Sequence, residues 1–220
     1  MDYKKKYLKY KSKYFNLKKM EQKGGGGKAQ SNIKGQFMFT NASNIYKQID
    51  KDYTKHENGY VIIAPPGAGK SYFVRNLNKN KDRKKDFIDG DILLPKLGVN
   101  WKIGKFPEPD FVLSYKRADL MLEQSRQYGY RILTSIFFEF NGDALVLPKI
   151  DHHKELVKKR KDLTWNYVLQ LRKRFEWFAK NYYNTPIFET FDEAIEYLNK
   201  KKPVKGFLNR MFTPKNKCPY

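Results

Sequence analysis

The sequence is poor in the residues that crosslink small proteins or bind structural metals. It has one cysteine, Cys218, and three histidines, so an internal disulfide is excluded and a structural zinc site is not expected. It also lacks an apolar run long enough to cross a bilayer, and its N-terminus lacks the apolar stretch of a signal peptide. We therefore expect a soluble, intracellular protein of the cytoplasm.

Acidic residues are also scarce relative to basic ones. The chain has 23 acidic and 45 basic residues, which gives a formal net charge of +22. Such a chain attracts phosphate-rich partners, and these include nucleotides, nucleic acids and anionic membranes. The net charge alone does not indicate which of these partners the protein binds. The length of 220 residues suits one α/β domain with a short appendage.

Composition divides the chain into four segments. Residues 1–28 are a lysine-rich leader that closes with four glycines, a flexible linker. Residues 29–57 are a polar N-terminal extension with a helix predicted around residues 45–53. Residues 58–205 hold every motif that suggests chemistry, and residues 206–220 are a C-terminal tail.

The leader has the pattern of a basic amphipathic helix, because tyrosines recur in it at spacings of three and four residues. Two roles remain open: a solubilising or self-associating tail, and docking on nucleic acid or an anionic surface. The stretch YLKYKSKYFNLKK followed by glycines resembles the N-terminal leader of many proteins of giant nucleocytoplasmic DNA viruses. This resemblance implies a viral origin, with the host cytoplasm or the virion as the location.

The most informative segment is Ala64-Pro-Pro-Gly-Ala-Gly-Lys-Ser71. It follows a β-branched apolar run, Tyr60–Ile63, and precedes a predicted helix from Lys70 to about Asn78, which is the context of a P-loop. In such a loop, backbone N–H groups cradle phosphates, the lysine reaches the β- and γ-phosphates, and the hydroxyl of Ser71 binds Mg²⁺. Ala64 stands where the first glycine of the pattern usually is. The predicted ATP-binding residues are Pro66, Gly67, Ala68, Gly69, Lys70, Ser71 and Tyr72.

A second motif, Asp89-Gly90-Asp91, lies about 20 residues further on. We expect a short strand that begins near Asp86 and ends in this motif, which places two carboxylates where open α/β sheets bind ligands. The motif resembles the DGD signature of small-molecule P-loop kinases, including gluconate-type and adenylylsulfate-type kinases. That resemblance implies that Asp89 orients or deprotonates the acceptor hydroxyl and that Asp91 holds Mg²⁺ together with Ser71. The exchange of these two roles and a plain Asp-Gly turn both remain open.

The remaining pattern predicts strands and helices in alternation. Strands are expected at residues 131–140, 144–147 and 186–190, and helices at 114–128, 151–183 with a break near 162–164, and 192–200. Five strands alternating with helices predict a parallel sheet with helices on both faces, a three-layer α/β fold. The kinase resemblance implies a P-loop NTPase fold with strand order 2-3-1-4-5 and a helical lid.

Basic residues between the fourth strand and the closing elements occupy the position of that lid. The resemblance implies that lid arginines neutralise the transferred phosphoryl group, and we select Arg160 and Arg172 as catalytic residues beside Lys70 and Asp89. A solvated basic helix face is the alternative. His152 and His153 are interpreted as surface residues. The third strand lacks the carboxylate that usually follows it in P-loop proteins, for which Glu139 or Asp143 are candidate substitutes.

The acceptor is expected to bind within residues 94–115, where aromatic and cationic side chains could stack a base and grip a phosphate, or form a small core under a loop. These residues are Trp101, Lys102, Phe106, Phe111 and Tyr115, with Arg117 just beyond. The sequence therefore predicts a kinase that uses ATP and Mg²⁺ and phosphorylates a nucleoside or nucleotide. The alternatives are a nucleic-acid-binding P-loop ATPase and a polynucleotide 5′-kinase, since the charge would hold a strand.

Overall fold

A computed structural model of the chain describes residues 45–79, 84–99, 109–136 and 142–200. Contacts divide the chain into two units, Met1–Lys47 and Gln48–Tyr220. Only residues 45–47 of the first unit are described. The leader, the C-terminal tail and the residues Trp101, Lys102, Phe106 and Glu139 lie outside the described residues, and the predictions made for them stand as predictions.

The second unit alternates short strands with helices. A helix, α1 (residues 45–52), precedes β1 (Tyr60–Ile63), α2 (Lys70–Leu77), β2 (Phe87–Asp89) and α3 (Gly90–Lys96). The chain continues through α4 (Pro109–Gln127), β3 (Arg131–Thr134), β4 (Ala144–Val146), α5 (Ile150–Lys158) and α6 (Trp165–Phe178). A π-helical turn (Ala179–Tyr183), β5 (Ile187–Phe188) and α7 (Phe191–Lys200) close the described part.

The five strands form one parallel sheet in the order β2-β3-β1-β4-β5. This confirms the predicted strand order. β1 lies at the centre, with Ile63 opposite Thr134 of β3 and opposite Leu145 of β4. All four residues of β1 are buried, because a central parallel strand is covered on both faces and favours β-branched apolar residues. The loop that follows β1 therefore leaves the sheet at the middle of its carboxyl edge.

Helices cover both faces of the sheet, as predicted for a three-layer α/β fold. On one face, alternate residues of β1 and β3, among them Ile62 and Leu133, pack with Val74 of α2 and with Phe191 and Leu198 of α7. α4 lies against β1 and β3 as well. No helix in the described ranges is long and apolar enough to cross a membrane.

The four predicted strands after β1 are shorter in the structure, and one difference affects the site. β3 ends at Thr134, whereas the prediction extended it to residue 140. β2 ends at Asp89, where the backbone enters α3, so the prediction that the strand includes Asp91 is wrong. The cause is local: the Asp89 side chain accepts a hydrogen bond from the Asp91 N–H at 3.0 Å and caps a new helix. Asp89 and Asp91 consequently lie on different elements.

Candidate functional site

The loop between β1 and α2 is the predicted phosphate-binding loop, and two of its glycines have positive φ angles. Gly67 and Gly69 have φ angles of 80° and 87°, which side-chain-bearing residues rarely adopt. The Ala68 N–H closes a tight turn on the Pro65 carbonyl at 3.2 Å. A Cβ at Gly67 would also lie 2.6 Å from Val157 Cγ2 of α5. Glycine is required at this position both for its conformation and for the closeness of α5.

The loop ends at the N-terminus of α2. Gly69 occupies the N-cap position, and as a glycine it brings no side chain that could accept the first N–H groups of the helix. The predicted phosphate-binding residues Lys70, Ser71 and Tyr72 form the first turn, and the Tyr72 side chain is 67% exposed. Backbone N–H groups and the positive end of the helix dipole together favour an anion here.

Lys70 joins the loop to the second motif. Its Nζ donates to Asp89 Oδ1 at 2.8 Å and to Asp91 Oδ2 at 2.9 Å. The Lys70 and Asp89 side chains are buried, at 8% and 5% exposure, whereas the Asp91 side chain is 45% exposed. The two motifs recognised in the sequence are therefore one cluster at the carboxyl edge of the sheet.

Ser71 also contacts this cluster, because its Oγ donates to Asp89 Oδ2 at 2.6 Å. Both oxygens of Asp89 thus accept hydrogen bonds, from Lys70, Ser71 and the Asp91 N–H. Burial alone raises the pKa of Asp89, but the Lys70 charge and these hydrogen bonds outweigh it and lower the pKa below the usual 3.8. Asp89 is consequently an ionised carboxylate at neutral pH.

The glycine between the two aspartates brings them close to the end of β3. A Cβ at Gly90 would lie 2.7 Å from Thr134 Oγ1 and 2.8 Å from Thr134 Cβ. Only a glycine lets the start of α3 approach β3 this closely. Thr134 is fully buried and accepts the Ile136 N–H at 3.0 Å, so a hydroxyl, not a carboxylate, ends β3.

No protein-family model and no curated protein matches this chain. The chemistry of the site therefore has to be inferred from its own side chains.

Asp143, one candidate substitute for the carboxylate missing from β3, is engaged away from the loop. Its Oδ2 accepts the Val61 N–H at 2.9 Å, and its Oδ1 lies 3.7 Å from Arg126 Nη1. Val61 is the second residue of β1, whereas the phosphate-binding loop begins after Ile63, the last residue of this strand. Asp143 therefore stabilises the start of β4 and is not part of the cluster around Lys70.

The two lid arginines differ in their surroundings. Arg160 follows α5, is exposed, and forms a two-point ion pair with Asp162 at 3.0 and 2.6 Å. This pair raises the pKa of Arg160, and the Asp91 charge contributes in the same direction. Arg172 lies on α6, is partly buried, and donates from Nη1 to the Pro148 carbonyl at 2.5 Å. Arg160 is thus directed to solvent, while Arg172 is fixed at the end of β4.

His153 is the residue that the sequence analysis misjudged. It is fully buried, not a surface residue, whereas its neighbour His152 is exposed as expected. Its Nε2 lies 3.1 Å from the Pro66 carbonyl of the phosphate-binding loop. A signal was present in the sequence: Ile150, His153 and Val157 recur at spacings of three and four, and His153 and Val157 share the buried face of α5.

Aromatic and basic side chains lie on the Asp91 side of the cluster. Tyr115 of α4 is partly buried, and burial, followed by the Tyr167 hydroxyl and the Asp91 charge, raises its pKa, while the Arg174 charge lowers it. Tyr167 and Arg174 are seven residues apart on α6, so they share one helix face. Tyr167, Arg174 and Asp91, from α6 and α3, therefore lie within electrostatic reach of Tyr115. Side chains of residues 109–113, Phe111 included, are outside the described part.

The cluster suits Mg²⁺ in its chemistry. Ser71, Asp89 and Asp91 offer a hydroxyl and two carboxylates, and Mg²⁺ prefers oxygen ligands from one or two carboxylates plus phosphates and water. Among the described residues, no group of three or more His, Cys, Asp or Glu side chains is arranged to hold a metal by itself.

Proposed function

We propose that the chain is an ATP-dependent phosphotransferase, a kinase that moves the γ-phosphoryl group of ATP to a hydroxyl or phosphate acceptor. The observation that carries this proposal is the contact of the loop lysine with both aspartates, Lys70 Nζ lying 2.8 Å from Asp89 and 2.9 Å from Asp91. A phosphate-binding loop alone fits any nucleotide hydrolase. An exposed second carboxylate beside the loop lysine is what a kinase needs in order to act on an acceptor.

ATP binding is assigned to the loop and the first turn of α2. The N–H groups of Gly67 and of residues 69–72 would hold the β- and γ-phosphates, with the helix dipole favouring the anion. Lys70 would exchange its bond to Asp91 for one to a phosphate oxygen. In this role the charge of Lys70 stabilises the negative charge that develops during transfer, so we propose Lys70 as a catalytic residue.

Mg²⁺ would be held by Ser71 and an aspartate, and when bound it would neutralise charge on the β- and γ-phosphates. The sequence motif assigned this role to Asp91. The geometry favours Asp89 instead, because Asp89 is buried against the Ser71 hydroxyl at 2.6 Å. We therefore assign the binding of Mg²⁺ to Asp89 together with Ser71.

Asp91 is then the group that acts on the acceptor. Its side chain is 45% exposed beside Lys70, so an acceptor hydroxyl can approach it. The Asp91 carboxylate would accept the proton of the hydroxyl as its oxygen attacks the γ-phosphorus, while the bond from that phosphorus to the β–γ bridging oxygen breaks and ADP leaves. Asp89, with both oxygens engaged, orients Lys70 and Ser71 and is not directed at the acceptor.

The arginines complete the charge balance. Arg160 is exposed and is bound only by its near neighbour Asp162 among the contacts described, so a modest movement of the segment after α5 would bring it to the phosphates. Arg172 is fixed by the Pro148 carbonyl, and its charge acts from a constant position. Arg160 is the residue of this pair that fits a mobile lid.

The acceptor is proposed to be a nucleoside or nucleotide. The support is the group of Tyr115, Tyr167 and Arg174 on the Asp91 side, because aromatic rings stack on bases and arginine binds phosphate. A polynucleotide 5′-end is the second candidate. It is favoured by one observation, the run of exposed basic residues at the end of α5 beside the loop: Lys154, Lys158, Lys159, Arg160 and Lys161.

The deciding experiment incubates the full chain with Mg²⁺, labelled ATP and a panel of nucleosides, nucleoside monophosphates and 5′-hydroxyl oligonucleotides. Label transfer to one acceptor class, abolished in Lys70→Met, is the expected result. Transfer only to oligonucleotides selects the polynucleotide kinase. Release of inorganic phosphate that DNA or RNA stimulates, with no labelled acceptor, would replace the kinase proposal by a nucleic-acid-binding ATPase.

A further inference from the structure

His153 connects the phosphate-binding loop to two other elements. Its Nε2 lies 3.1 Å from the Pro66 carbonyl, and its Nδ1 lies 3.4 Å from Arg172 Nη1. Arg172 Nη1 also donates to the Pro148 carbonyl at 2.5 Å. The chain of contacts therefore runs from the loop through α5 to α6 and the end of β4.

The contacts determine the protonation of the ring. A carbonyl oxygen can only accept, so Nε2 must carry the proton that it donates to Pro66. Arginine can only donate, so Nδ1 must be the acceptor. Burial, together with the Arg172 charge and the neighbouring His152, lowers the pKa of His153, although the Pro66 contact raises it, and the ring is neutral at pH 7.

The ring is also held in place by packing. His153 is fully buried, and the Trp165 ring meets it edge-on with centroids 5.6 Å apart. Val157 and Leu163 also pack at Gly67, where a Cβ would lie 2.6 Å from Val157 Cγ2 and 3.6 Å from Leu163 Cδ1. The His153 ring therefore has little freedom to move away from the loop.

The Pro66 carbonyl matters because it shares a peptide plane with the Gly67 N–H. In a trans peptide these two groups point in opposite directions. With the carbonyl turned to His153, the Gly67 N–H is turned away from His153 and α5. Gly67 has a φ of 80° and no Cβ, so without an external contact this peptide has several orientations available.

We propose that His153 is a positioning residue of the phosphate-binding loop, whose Nε2–H fixes the peptide between Pro66 and Gly67 so that the Gly67 N–H faces a bound phosphate. The proposal rests on the proposed function, because it assumes that the loop binds polyphosphate. It extends that function by making α5 and α6 part of the binding site, because these helices hold the loop and α6 also carries Arg172.

A matched pair of variants tests the hydrogen bond. The amide of a glutamine can place an N–H near the position of Nε2, whereas that of an asparagine ends near Nδ1 and does not reach Pro66. We expect His153→Asn to weaken binding of inorganic tripolyphosphate at least about tenfold, and His153→Gln to stay within about threefold of the wild type. His152→Asn, on the exposed neighbour, serves as the control and leaves the affinity unchanged. Calorimetry on the full chain measures each dissociation constant.

The outcomes separate the two proposals. Absence of tripolyphosphate binding by the wild type overturns the proposed function, and the role of His153 with it. Binding by the wild type with equal affinities for the Gln and Asn variants overturns the role of His153 alone. If the variants do not fold, the tautomer of His153 in the wild type, read from imidazole nitrogen chemical shifts, decides: a proton on Nε2 supports the proposal and a proton on Nδ1 overturns it.

Discussion

The Lys70 ammonium lies 2.8 Å from the Asp89 carboxylate, and both side chains are almost completely buried. Removing one partner of a buried pair leaves the other charge without compensation, which is strongly unfavourable. The lysine of this loop therefore has a structural role as well as its proposed catalytic one. Substitutions in the pair are expected to alter stability and activity together.

We expect Lys70→Met to abolish phosphoryl transfer and to lower the free energy of unfolding by about 3 kcal/mol, or roughly 6–12 °C in the midpoint. The double variant Lys70→Met/Asp89→Asn should recover most of the stability and none of the activity, because the uncompensated carboxylate is gone. Thermal unfolding and turnover of both variants give the comparison. A single variant as stable as the wild type would contradict the burial of this pair.

The two aspartates are expected to respond differently to the same chemical change. Asp91→Asn should reduce turnover at least about a hundredfold with ATP affinity nearly unchanged, because the proposed base is lost and the loop is not. Asp89→Asn should weaken ATP binding and lower stability as well, since it orients Lys70 and Ser71. Turnover and ATP dissociation constants are measured side by side, and the reverse result would restore the roles that the sequence motif implied.

Gly67 and Gly69 form a matched pair for testing how closely α5 lies on the loop. Alanine at either position adopts an unfavourable positive φ, at about 1–2 kcal/mol. Only at Gly67 does the new Cβ meet Val157, at 2.6 Å, whereas at Gly69 the nearest atom is Leu156 Cδ1 at 3.8 Å. Gly67→Ala should therefore lower the free energy of unfolding more, by about 1–3 kcal/mol in addition.

A Val157→Ala background provides the control for this comparison. It removes the clashing methyl group, so the difference between the two glycine variants should shrink. An unchanged difference would show that α5 does not contact the loop at Gly67.

Stability should fall as the pH is lowered from about 7, and His153 should contribute to the fall. Its folded pKa lies below the ordinary 6.5, so between those two values the unfolded chain binds the proton more readily. The free energy of unfolding therefore decreases with decreasing pH in this window, by at most about 1.4 kcal/mol per pH unit for one proton. His56, whose pKa burial also lowers, acts in the same direction. Chemical unfolding between pH 5 and 8 should show a shallower slope for His153→Gln.

The sequence predicted the sheet because its signals are local. The β-branched and apolar residues of Tyr60–Ile63 are enough to predict a buried strand. The glycines that follow predict a tight loop without any knowledge of distant contacts. The sequence also placed the second motif at the carboxyl end of a strand, where open sheets bind ligands, but it did not predict that Lys70 contacts that motif. The strand order itself came from the kinase resemblance and agrees with the structure.

What the sequence did not predict depends on contacts between distant elements. The burial of His153 follows from α5 packing on the loop, and its partner Pro66 is 87 residues away. Asp143 is engaged by Val61, 82 residues away. The start of α3 at Gly90 was missed for a different reason. An aspartate can end a strand or cap a helix, and only the backbone conformation distinguishes the two cases.

The cluster around Lys70 has a kinetic consequence. One lysine shared by two aspartates leaves an excess of negative charge at the point where a phosphate would bind, so this point does not itself attract an anion over a distance. Attraction must come from the exposed lysines near the loop. Salt at about 0.1 M weakens the attraction of these charges at distances beyond about 10 Å. We expect added salt to slow nucleotide association in stopped-flow measurements and to leave dissociation nearly unaffected, because leaving requires Lys70 to return to its short-range contact with Asp91.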